Sequence, residues 1–143
     1  MKLISALIFS IFILSASENT EHLRAKVLEK VFTNISINEE IKVWCDNKAV
    51  LAQLKDNGKF KTVNNCKDAT LVILSSKESM TKECENKHIF TLNYSLLSDI
   101  PTSFGAFFWK KGRPNIVIIK SRIESRDIKI SNNLEDYVEE QVW

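Results

Sequence analysis

Three cysteines (Cys45, Cys66 and Cys84) and two histidines (His22 and His88) are the side chains with the most chemical reach in this 143-residue sequence. Nucleophilic catalysis needs a base within hydrogen-bond reach of a nucleophile and a third group to orient it. His88 follows Cys84 by four residues, but a helix end and a strand start normally face apart. No G-x-S-x-G, no H-E-x-x-H and no glycine-rich phosphate loop occurs. The cysteines are not in C-x-x-C spacing, so a zinc site would have to borrow His88 from a distance. The expectation is a non-enzyme with no metal and no cofactor.

Disulfide chemistry is the stronger use of the thiols. Residues 1–17 carry one charge, at Lys2, then an apolar run over 3–16, with small residues at Ser15, Ala16 and Ser17. That layout is a secretory signal peptide cleaved near Ser17. A run of 14 residues is too short for a bilayer core, which needs about 20. An exported chain works where thiols are oxidised, so two of the three cysteines should pair. Cys66 and Cys84 each stand four residues ahead of an apolar strand, at Thr70 and His88. If those strands are parallel neighbours, both cysteines lie at one edge of the sheet. Cys45 ends its strand and lies at the other edge. A strand of five or six residues is roughly 17–20 Å long, far beyond the Cα separation of about 6 Å that a disulfide tolerates. The expected bridge is Cys66–Cys84, with Cys45 free or linking two copies.

The elements that must position these residues are legible as alternating patterns. Leu23, Val27, Leu28, Val31 and Phe32 recur at helical spacing behind Thr20. A strand over 40–45 follows, then a helix over 48–55 capped by Asp46 or Asn47 and stopped at Asn57-Gly58. Strands are expected at 60–63, 70–74 and 88–92, with a polar helix over 76–85 and one helical turn at 94–97. The run over 70–74 is continuously apolar, as strands covered on both faces are. Residues 104–109 and 116–119 form an antiparallel hairpin with a basic tip, and Pro114 belongs at a strand start or edge. Ser121 with Glu124 makes a capping box, and 132–141 reads as an acidic helix. Residues 18–143 are therefore expected to be a single three-layer α/β domain with a mixed, mainly parallel sheet and a C-terminal antiparallel hairpin. At 44% apolar, 27% charged, 3 Gly and 2 Pro, the chain has the composition of a folded domain rather than a disordered one. The formal charge of +2 gives no bulk argument for nucleic acid.

Two surfaces are candidates for contact. The stretch over 104–122 holds Lys110, Lys111, Arg113, Lys120 and Arg122 and no acid, beside Phe104, Phe107, Phe108 and Trp109. By alternation Phe104, Ala106 and Phe108 face one way, and Gly105, Phe107 and Trp109 the other. Either both faces are core, or an exposed Phe107/Trp109 pair joins Lys110, Lys111 and Arg113 as a partner surface. Anionic lipid headgroups are a weaker target for the same tip. The second candidate is the carboxyl edge of the sheet, where βαβ proteins bind ligands. Trp44, Cys45, Asp46, Ser75, Ser76 and Asn93 would line it.

Four segments resemble the YfiR-like family of small periplasmic proteins. Residues 24–32 (RAKVLEKVF) stand where that family has its opening helix, and 41–45 (IKVWC) where it has its first strand. Cys66 ahead of 70–74 (TLVIL) is similar to its cysteine before a central strand. Residues 115–119 (NIVII) and 128–134 (IKISNNL) are similar to its closing strand and helix. The chain departs from the family in lacking a glycine after the first strand and in keeping only Gly105 of a glycine pair before the hairpin. The resemblance implies a periplasmic repressor that holds an inner-membrane signalling protein, a diguanylate cyclase, inactive, with disulfides that matter to its state. The expected function is regulatory or sensory, with a homodimer as a further possibility of assembly and a periplasmic small-molecule binding module as the alternative.

Overall fold

The computed structural model describes residues 20–143; the expected signal peptide lies outside the described residues. A helix over 20–33 (α1) leads into β1 (Ile35–Ser36), β2 (Lys42–Cys45), α2 (Lys48–Asn57), β3 (Lys61–Thr62) and β4 (Leu71–Leu74). Then come β5 (His88–Thr91), α3 (Leu96–Asp99), β6 (Ser103–Lys110), β7 (Arg113–Ile119), α4 (Lys120–Ser125), β8 (Lys129–Ile130) and β9 (Val138–Glu139). Seven strands make one sheet in the order β3-β2-β4-β5-β6-β7-β9, parallel except between β6 and β7. A separate antiparallel pair, β1 with β8, ties the end of α1 to the C-terminal segment. There the Ser131 amide donates to the Asn34 carbonyl at 2.8 Å. The α/β architecture with a mixed, mainly parallel sheet is as the alternating patterns predict.

Local chemistry explains the element ends. The Asn47 side chain accepts from the amides of Ala49 and Val50 and starts α2, and Gly58 ends it at φ 68°, where a side chain would be strained. The hairpin turn is Lys111-Gly112, both with positive φ, which matches the twist of the two strands it joins.

All four residues of β4 are buried. Leu71 and Ile73 pack with α1 and α2 around Phe32, Val50, Leu54 and Phe90, and Val72 and Leu74 pack on the other side. That second face has little helix to cover it. Cys66, Cys84, Leu96 and Ile100 close it beside Ile89. Further along, Leu97 and the C-terminal Val142 lie over Ala106, Val117 and Ile119.

Four local expectations are corrected. The stretch over 76–85 is two short 3-10 turns, Lys77–Ser79 and Lys82–Cys84, instead of a helix. It offers no apolar stripe to bury, and Cys84 is drawn into the core opposite Cys66. The acidic helix over 132–141 is a 3-10 helix, Asn132–Tyr137, followed by β9. Leu134 and Tyr137, three apart, both reach the core at that tighter spacing, and the edge of β7 then captures Val138. The capping box does not form, because β7 runs directly into α4 with extended Ile119 at the cap and no side-chain bond. Finally, Phe104 and Phe107 share one face. The register between β5 and β6 shifts at Ile89/Phe90, with Ile89 opposite Ser103 and Phe90 opposite Gly105. The extra residue turns Phe104 toward Phe90, whose ring centroid is 5.5 Å away.

The bulge depends on Gly105. A Cβ there would meet the Val117 carbonyl oxygen at 2.6 Å and Phe90 Cε2 at 2.9 Å. The Gly105 carbonyl also accepts from the buried Thr91 hydroxyl at 3.3 Å. Gly105→Ala should therefore destabilise the domain by about 1–3 kcal/mol, the usual cost of overpacking. A lowered urea midpoint at unchanged slope is the expected measurement.

Candidate functional site

Because β2, β4, β5 and β6 are parallel, their carboxyl ends share one end of the sheet. Trp44, Cys45, Asp46, Ser75, Ser76 and Asn93 fall at that end, as their positions after the strands predict. The structure brings them to one edge and then consumes their polar groups in closing loops. The Asp46 carboxylate accepts from the Ser75 amide at 2.8 and 3.0 Å and from its hydroxyl at 2.9 Å. The Ser76 hydroxyl donates to Glu78 and caps the first 3-10 turn. Asn93 Oδ1 accepts from the amide and the hydroxyl of Ser95, both at 3.1 Å. Trp44 is half-buried against the second face.

Cys45 is buried and free, and its Sγ accepts from the Asn47 amide at 3.4 Å. Burial pushes its thiol up from 9.0 to about 12. A buried neutral thiol is a poor nucleophile, and its position removes the option of a link between two copies through Cys45. Cys66 and Cys84 are joined, with Cα atoms 5.2 Å apart, at the amino ends of the neighbouring parallel strands β4 and β5. The expected pairing is the one present. Its sulfur chemistry leaves Cys84 with no thiol for His88 to activate. His88 itself is half-buried at the first position of β5, where burial lowers its pKa. Among the described residues no group of three or more His, Cys, Asp or Glu is placed to hold a metal ion.

The hairpin reaches past this edge. β5 ends with Thr91 opposite Ala106, whereas β6 continues to Lys110. Phe107, expected on the outward surface, is fully buried instead. The start of α1 covers it, with the Arg24 guanidinium 5.7 Å over its ring. Trp109, on the same face and one step nearer the tip, stands edge-on to Phe107 at 5.4 Å and is 38% exposed. Lys110, Lys111 and Arg113 are exposed at the turn. Of the residues expected at the contact surface, Trp109 and the three cations are exposed and Phe107 lies beneath the indole.

The other side of the hairpin carries residues that sequence spacing did not bring together. Tyr94 and Phe108 lie edge-to-face at 5.2 Å, and the Trp143 amide donates to the Tyr94 hydroxyl at 3.2 Å. Trp143 is 82% exposed. The one available signal was the aromatic type of each residue. Their meeting depends on a chain reversal after β9.

The chain matches no known family model and no curated protein.

The thiol assignments are directly testable. Peptide mapping of the non-reduced protein should recover a Cys66–Cys84 peptide, and iodoacetamide should leave Cys45 unlabelled until the chain is denatured. Reduction should cost about 3 kcal/mol of stability for a span of 18 residues. The folded thiol of Cys45 holds its proton more tightly than the unfolded one. Its contribution is thus complete below pH 9.0 and is lost as pH rises from there toward about 12, which alkaline denaturation of Cys45→Ala against the parent should register.

Proposed function

We infer that this is an exported, periplasmic, non-enzymatic regulatory protein that acts on an inner-membrane signalling protein through its hairpin end. The observation that carries the reading is Trp109, partly exposed beside Lys110, Lys111 and Arg113 at the part of β6 that outruns the sheet. Aromatic side chains and Arg dominate the desolvated centres of interfaces. Phe107, locked beneath Trp109, holds the indole in place before any partner arrives, which limits the entropy lost on binding. The Cys66–Cys84 disulfide supports an oxidising compartment, and the apolar leader over 1–17 supports export. No helix among the described residues is long and apolar enough to cross a membrane. The order of segments that resembles the YfiR-like family supports a diguanylate cyclase as the class of partner.

Ligand binding at the carboxyl edge is the less favoured reading, because Asp46 and Asn93 already spend their acceptors on Ser75 and Ser95.

Trp109→Ala should abolish capture of the membrane partner in a pull-down from solubilised membranes, a loss of about 2 kcal/mol or more for a central anchor. The thermal midpoint should hardly move. Lys110→Glu with Lys111→Glu should slow association and make capture more sensitive to salt. A large fall in thermal midpoint for Trp109→Ala would assign the indole to the core and overturn the reading.

A further inference from the structure

The outer edge of the sheet ends unfinished. β9 pairs with β7 only at Ile118 and Ile119. Among the described residues no strand pairs with the outer edge of β7 from Arg113 to Val117. Alternate residues of a strand turn both N–H and C=O to the same side, so this stretch presents ladder groups away from β6. Arg113, Asn115 and Val117 turn their ladder groups toward β6, so the free outward groups are the carbonyl of Pro114, which lacks an N–H, and the N–H and carbonyl of Ile116.

A groove of about 690 Å³ runs along this edge, with Asn115, Ile116 and Val117 in its lining. Its walls come from opposite faces of the sheet. Tyr94 and Phe108 belong to the face closed by Leu97 and Val142, whereas Tyr137 belongs to the face closed by α1. An added strand would place successive side chains alternately against these two aromatic walls, which is the geometry of strand addition. The charges are segregated along the groove. Lys110 lies toward the hairpin turn, opposite Arg113 in the register, and Asp136 and Glu139 lie toward β9. None of these three forms an ion pair among the described residues.

We propose that the open edge of β7 is a peptide-binding site that takes an extended segment of another protein as an eighth strand. The segment alternates aliphatic, β-branched residues with polar ones, is acidic toward the hairpin and basic toward β9. Main-chain bonds to the Pro114 carbonyl and to the N–H and carbonyl of Ile116 supply affinity, and the two aromatic walls and the charge gradient supply direction. The site shares Lys110 with the hairpin-end surface but excludes Trp109, so Trp109→Ala distinguishes the two.

The test uses the oxidised protein and two synthetic peptides, Asp-Val-Thr-Val-Thr-Val-Lys and its reverse, both blocked at their ends. One of the two should bind saturably and slow amide exchange at Ile116. N-methylation of the alternate amides that face β7 should weaken binding at least tenfold. Asp136→Lys with Glu139→Lys leaves both ends of the groove basic and should erase the preference between the two peptides, with the fold checked by an unchanged thermal midpoint. Equal binding of the N-methylated peptide, unchanged exchange at Ile116 under saturation, or no binding of either peptide at millimolar concentration would overturn the proposal. Loss of membrane capture by Trp109→Ala in a protein that still binds the peptide would separate the two sites.

Discussion

The central strands of this sheet are apolar on both sides, and the chain has enough regular helix to cover one of them. α1 and α2 close the face that holds Leu71, Ile73 and Phe90. Val72, Leu74 and Ile89 need a second cover, and only short turns remain to provide it. Burying an aliphatic side chain is worth about 1.5–3 kcal/mol, so leaving this face wet would remove much of the stability of a small domain. The Cys66–Cys84 bridge answers that constraint by pinning two poorly helical loops against the face. Burial on one side is helical packing; on the other it is covalent.

The same two-sided burial shapes the hairpin. A long strand crossing from the crowded centre to the open end must fit Phe104 and Phe107 on the helical face. Strict alternation would send one of them to the opposite side. The bulge at Phe104 resolves the conflict, and Gly105 makes it possible by leaving room for the Phe90 ring and the Val117 carbonyl. Beyond Ala106 the strand no longer has β5 beside it. From there on, side chains are free to serve contact instead of packing, with Phe107 as the last core residue and Trp109 as the first exposed one.

One end of the molecule thus gathers what would otherwise be scattered features. The start of α1, the carboxyl ends of β2, β4, β5 and β6 and the hairpin turn lie together, because these four strands run in one direction. At the carboxyl edge the polar groups bond to one another and stiffen the loops, as Asp46 does with Ser75.

Residue types and spacing alone determined the strand order of the first half, the start of α2 at Asp46 or Asn47 and its stop at Gly58, the basic hairpin turn and the Cys66–Cys84 pairing. Each is a local property, or follows from one assumption about neighbouring parallel strands. Tertiary structure alone decided which hairpin aromatic faces water. The bulge is a register event between β5 and β6, and the cover over Phe107 comes from Arg24, distant in sequence. It also decided that the acidic C-terminal segment becomes a 3-10 helix and a short strand. Leu134, Tyr137 and Val138 fit a helical stripe equally well on paper, and the uncovered edge of β7 captured Val138 and its backbone. Trp143 shows the limit most clearly. Nothing in its neighbours says where it goes, because its partner Tyr94 is brought to it only by the reversal of the chain after β9.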